Sequence, residues 1–213
     1  MKQGNVFGSD SKQYNALSMP LWIEVKEKKL GGGTFSLADY AKGDLIPAAI
    51  PVYLPKMGGT AVILDAFEVD GAVSATDTAV KLKDGIFGTK PKKDMVIGKV
   101  ASTGIAAKAA ALGTFVEGTG FTITANALGV LSDGDFVYLV AEAGSSKPAV
   151  KPTGLTLREI NVDATVDVAH SIIPTATVAV VTKGQILADR MAAALPDWMV
   201  DALHGNITFE KEL

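Results

Sequence analysis

Asp133-Gly134-Asp135-Phe136-Val137-Tyr138-Leu139-Val140-Ala141 is a turn followed by a strand. Asp-Gly readily takes the positive φ angles of a tight hairpin turn. The residues after Asp135 are β-branched, aromatic or aliphatic, as strands prefer. Two further Asp-Gly pairs stand upstream, Asp70-Gly71 and Asp84-Gly85. Short runs of the same strand character lie at 78–83, 95–100 and 121–125. A turn and a strand, repeated, predict a mainly β chain.

The same grammar extends both ways. Upstream, Ile46-Pro47, Ile50-Pro51-Val52-Tyr53-Leu54-Pro55 and Ala61-Val62-Ile63-Leu64 are short apolar runs broken by proline and by the Gly58-Gly59 turn signal. Proline cannot donate to a ladder, so these pieces are expected at sheet edges or at strand starts. Leu21, Ile23 and Val25 alternate with Trp22, Glu24 and Lys26, a period of two. Gly31-Gly32-Gly33 reads either as a hinge or as a long turn. Residues 1–20 carry few core-forming side chains and are expected to be an extended arm.

Downstream, residues 105–112 are alanine-rich and predict two helical turns packed on a sheet. Residues 144–152 read as a connector. Leu155 and Leu157 alternate with polar residues, then the phase slips and Ile160, Val162, Ala164, Val166 and Val168 continue. A one-residue slip swaps sheet faces, which places a bulge or turn near Arg158-Glu159. Residues 175–182 predict a strong strand. Pro196 to Gly205 reads as a short helix, with proline in the first turn and glycine at the stop. Residues 207–209 are expected to return to the sheet.

Composition narrows the function. The 213 residues are 48% hydrophobic and 20% charged, which is a folding chain rather than a disordered one. Net charge is -3, without the surplus of lysine and arginine that phosphate neutralisation needs, so no nucleic-acid partner is expected. There is no cysteine, which excludes disulfides, thiolate metal sites and thiol catalysis. No run approaches the roughly 18 apolar residues of a membrane helix. Residues 1–14 lack an apolar signal core, so synthesis in the cytoplasm and no membrane partner are expected.

Catalytic motifs are missing. Gly118-Thr119-Gly120 does not complete a dinucleotide fingerprint, and neither a P-loop, a nucleophile elbow nor an H-E-x-x-H motif occurs. His170 lies beside Ser171 and near Asp167, but neighbours in a strand point to opposite faces. Asp133 and Asp135 fit a hairpin turn better than calcium, which takes about six to eight oxygen ligands. Lys90, Lys92 and Lys93 read as a solvated loop, and His204 as the end of a helix. The chain is expected not to be an enzyme and to hold no cofactor or metal. Trp198 reads as core, and Trp22 as core or as an anchor on a neighbouring subunit.

Several stretches resemble the head fibre and capsid decoration proteins of tailed bacteriophages. Lys42-Gly43-Asp44-Leu45-Ile46-Pro47-Ala48-Ala49-Ile50-Pro51-Val52 is similar to their entry strand, K-G-x-I-P-A-G-T-P-V, with Ala49-Ile50 in place of Gly-Thr. Met95-Val96-Ile97-Gly98-Lys99, Phe121-Thr122-Ile123-Thr124 and Leu128-Gly129-Val130-Leu131-Ser132-Asp133-Gly134-Asp135 resemble an insert of those proteins. The strand from Thr175 to Gly184, the hinge Gln185 to Met191, and Gly205-Asn206-Ile207-Thr208-Phe209 resemble their closing strand and end.

The resemblance implies a sandwich- or barrel-like outer β-domain from residues 35–69 and 149–213. A small β-subdomain, 70–148, would be inserted into it. Residues 1–34 would be an N-terminal arm, and a short helix would lie near the C-terminus. It also implies a virion structural protein that binds major capsid protein or other capsid subunits on the outer surface of the shell. A homo-oligomer is expected, with a trimer ahead of a dimer. Tyr14, Leu21, Trp22 and Ile23 are the candidate contact residues. A carbohydrate- or cell-surface-binding β-module is the alternative, and a small hydrolase built around His170 a third reading.

Overall fold

Short β-branched and aromatic runs closed by glycine and proline give short strands. In the computed structural model, residues 21–29, 32–37, 40, 43–55, 60–162 and 175–211 are described. The first strands are β1 (Trp22–Lys28), β2 (Gly33–Ser36), β3 (Leu45–Ile46), β4 (Pro51–Tyr53), β5 (Val62–Ile63), β6 (Ala66–Glu68), β7 (Ala79–Val80), β8 (Val96–Val100) and β9 (Ile105–Ala111). Next come β10 (Phe115–Val116), β11 (Gly120–Thr122), β12 (Phe136–Leu139), β13 (Gly144–Pro148), β14 (Gly154–Thr156), β15 (Ile160–Asn161), β16 (Thr175–Val178) and β17 (Val180–Leu187). A 3-10 turn, helix α1 (Asp197–Leu203) and β18 (Ile207–Glu210) complete the order. The protein is mainly β, with several sheets and a short helix near its C-terminal end.

Pairing sorts the strands into two groups. A six-stranded sheet runs β1-β17-β14-β4-β5, with β18 parallel to β17. The pairs β15–β3 and β16–β2 belong to the same stretches of chain. A five-stranded sheet runs β13-β9-β8-β12-β6, and a three-stranded one β10-β11-β7. Every named strand between Ala66 and Pro148 thus pairs within that segment. Residues 66–69, expected in the outer unit, turn to the inner one: β6 hydrogen-bonds β12.

Each group has its own apolar centre. Phe67, Ile97, Leu112, Phe121, Leu131 and Val137 pack together in one. Phe35, Ile46, Ile50, Val52 and Val180 pack in the other, beside a cluster of Trp22, Leu155, Ile186 and Leu203. Two features tie the groups together. Phe87, from the segment between β7 and β8, packs among Phe35, Ile63 and their neighbours. Trp198 and Met199 of α1 pack with Leu64 and Ala149 against Val100 and Tyr138. The Trp198 and Tyr138 rings meet edge to face, 5.6 Å apart.

Several expectations are corrected by the pairing. Residues 105–111 form β9, not helical turns, because strands lie on both sides to take up their backbone groups. Small side chains also suit a strand pressed against Gly98, where an added Cβ would lie 2.6 Å from the Lys108 carbonyl oxygen. Residues 144–148 form the edge strand β13, not a connector. An edge faces water, so serine, lysine and proline are tolerated there.

Pro51 opens a strand, as expected, but β4 is interior to its sheet. The chain leaves the six-stranded sheet after Thr156 and pairs with β3 from Ile160, so the phase slip marks a change of sheet. Gly71 and Gly134 take positive φ, as Asp-Gly turns require, whereas Gly85 does not. Ala49 does, at φ 60°, where the resembled pattern carries glycine.

Candidate interaction surface

Of the candidate contact residues, Tyr14 lies outside the described residues. Leu21 is half-buried against the cluster that holds Trp22. Trp22 itself is only 4% exposed, so its ring is core and is not offered to a neighbour. Ile23 is 46% exposed and points outward. A register shift between Trp22 and Glu24 explains this reversal of the apolar face. It lets Trp22 and Val25 both turn inward, which plain alternation does not. The indole Nε1 of Trp22 and that of Trp198 are buried without a hydrogen-bond partner among the described residues. Asp167, His170 and Ser171 lie outside the described residues.

The one fully buried carboxylate among the described residues is Asp65. It stands at the crossing from β5 to β6. One oxygen accepts the Ala66 N–H at 2.8 Å, and the other the Thr89 N–H at 3.1 Å. The Phe87 N–H lies 3.1 Å from both. Gly85 sits so close that a Cβ there would fall 2.2 Å from an Asp65 oxygen. Thus Gly85 is required by the carboxylate, not by a turn. Tyr40 and Thr89 hydroxyls join at 2.8 Å and close the loop from outside. Burial raises the Asp65 carboxyl above its ordinary range, against the opposing pull of the Phe87, Thr89 and Ala66 N–H groups. With its oxygens committed to backbone donors, Asp65 acts as a clasp that seats Phe87.

The Asp133–Asp135 turn uses its acids locally. Asp133 accepts the Gly71 N–H at 2.8 Å. Asp135 accepts the Ser132 N–H at 2.8 Å and pairs with Lys99 at 2.7 Å, and Lys99 lowers the Asp135 carboxyl below its ordinary range. Among the described residues no group of three or more His, Cys, Asp or Glu side chains could hold a metal. No described helix is long and apolar enough to cross a membrane.

Two exposed features stand out among the described residues. The first is a cleft of about 720 Å³ on the outer face of β9. Ile105, Ala107, Leu128 and Val130 give it apolar lining. Val130 is 74% exposed. Lys99 and Lys108 also line the cleft, and no carboxylate does. The Lys108 ammonium donates to the backbone and side-chain oxygens of Asn126, both neutral. Ala107 leaves space in the cleft that a longer side chain would fill, and a helix expected over these residues conceals it.

The second feature is the tip of the β10–β11 hairpin. Phe115 is 59% and Val116 45% exposed, with Glu117 exposed beside them. Phe115 leans on Phe121, ring centres 5.1 Å apart. The turn closes by the Thr119 N–H to the Val116 carbonyl at 3.0 Å. Exposed aromatic and aliphatic side chains on a two-residue edge strand were a readable signal, since 115–116 interrupts a polar, glycine-rich stretch. No family model matches this chain, and neither a curated protein nor a solved structure does.

Proposed function

We propose that this protein is a non-enzymatic structural component of a tailed-bacteriophage virion, a head fibre or decoration protein. It binds the outer capsid surface as a homo-oligomer, preferably a trimer. The observation that carries the reading is the Lys42–Val52 stretch. It resembles the K-G-x-I-P-A-G-T-P-V entry strand, and its backbone holds a left-handed residue, Ala49, where that pattern places glycine. The other resembling stretches fall on β8, β11, the Asp133–Asp135 turn, β17 and β18. Repetition on a symmetric shell supplies the mechanism: many oligomers, each touching several capsid subunits, need only modest affinity per contact.

Co-sedimentation tests this. Purified protein is mixed with phage particles from its source culture and banded on a density gradient. Co-banding at fixed stoichiometry is expected. Protein left at the top of the gradient overturns the reading and directs attention to a carbohydrate- or cell-surface-binding module, for which glycan screening is the assay.

A further inference from the structure

The hairpin tip and the β9 cleft are complementary in chemistry. The tip offers an aromatic ring, a branched aliphatic and a carboxylate in consecutive residues, Phe115-Val116-Glu117. The cleft offers apolar lining, with Lys108 among its residues and hydrogen-bonded to the neutral oxygens of Asn126. Exposed apolar groups beside an opposite charge are the usual marks of an association site. In this chain the tip and the cleft are separate surfaces: Phe115 leans on Phe121, and neither lines the hollow.

We propose that the Phe115–Glu117 tip of one copy seats in the Ile105–Val130 cleft of a second copy, with Glu117 paired to Lys108. Such a contact is heterologous: each copy gives a tip and receives one. Repeated around an axis it closes into a ring, and a trimer is the small ring that fits the virion reading. The inference rests on that reading's homo-oligomer and adds its interface.

The test is sedimentation-equilibrium mass of the full-length chain, without capsids, so it is independent of particle binding. Wild type is expected as a closed oligomer. Phe115→Ser spoils the tip and Val130→Glu spoils the cleft, and both positions are exposed, so circular dichroism should stay unchanged. Each variant alone is expected to dissociate at concentrations about tenfold or more above wild type.

Mixed together, the two variants retain one good tip and one good cleft. The mixture is expected to form dimers and stop there. Glu117→Lys sets like charge against Lys108 and is expected to weaken assembly about tenfold. A monomeric wild type, an oligomer indifferent to any of these substitutions, or a mixture that stays monomeric overturns the proposal. An indifferent oligomer that still bands with particles would remove this interface and leave the virion role intact. A tip-and-cleft oligomer that fails to band would do the reverse.

Discussion

Replacing Asp65 with asparagine isolates the clasp. The shape barely changes, but one acceptor oxygen becomes an NH₂ donor. Ala66 N–H approaches one carboxylate oxygen, Thr89 N–H the other, and Phe87 N–H both. Whichever way the amide turns, one of the outer N–H groups faces a donor in a fully buried site. An unsatisfied buried donor costs about 1–3 kcal/mol. Relief of the buried charge offsets part of it, so Asp65→Asn is expected to destabilise by about 2 kcal/mol at neutral pH. For a chain of this length that lowers Tm by about 4–8 °C.

Urea titration followed by fluorescence should show the midpoint falling with the slope unchanged. The pH dependence has a definite sign. The folded Asp65 carboxyl titrates above its unfolded value. Its proton therefore favours the folded state, a contribution fully present below the unfolded pKa and lost as pH rises through the folded one. Asparagine does not titrate. The gap between wild type and variant should widen as pH falls toward the ordinary aspartate range. A variant as stable as wild type at pH 7, or a gap that narrows in acid, refutes this account of the clasp.

Substitutions at three further positions probe other points. Phe87→Ala empties the site that the clasp holds and is expected to cost about 3–5 kcal/mol, read by urea unfolding. Trp22→Phe removes an indole N–H that has no partner among the described residues, so its loss of contact is partly repaid, and a change within about 1 kcal/mol is expected. Trp22→Ala should cost about 3–5 kcal/mol by calorimetry, and equal losses for the two would contradict the orphaned N–H. Ala49→Val puts a β-branched residue at φ 60° and is expected to destabilise by about 2 kcal/mol in the same assay.

The readable parts of this fold were those with local causes. Pro196 and Gly205 bracket α1 because one fits a helix start and the other its stop. Gly71 and Gly134 mark turns through their own backbone freedom. The slip after Leu157 signals an interruption because period two admits no unbroken strand across it, and the chain changes sheet there. What escaped depends on distant partners. The alanine-rich run 106–111 favours helix in isolation, and only β8 and β13 on either side make it a strand. Trp22 turns inward because β17 shifts register against β1.

Asp65 is a lone charge inside the apolar run from Ala61 to Phe67, which was a visible anomaly. Its meaning lies in three N–H groups supplied by Phe87, Thr89 and its own successor. The cleft was hidden with β9. The hairpin tip was written plainly in Phe115-Val116, but its complement was not.

The segment between Ala66 and Pro148 separates strands that must meet. The Leu54 N–H donates to the Thr153 hydroxyl at 2.9 Å, across 99 residues of chain. Closing a loop of that length before anything else forms costs about 4 kcal/mol in chain entropy, beyond a constant. If the inner segment folds first, β6 and β12 bring its ends together, and the loop left to close is short. That saving, about 1–1.5 kcal/mol, is close to tenfold in rate. Chain entropy therefore favours folding from the inside outward. During synthesis β1 to β5 leave the ribosome first, yet the strands that β1 to β4 pair with, β14 to β17, are made only after the inner segment. For that interval Phe35, Ile46, Ile50 and Val52 have no sheet to enter. The nascent chain is most exposed to aggregation there, until β14 to β17 are made.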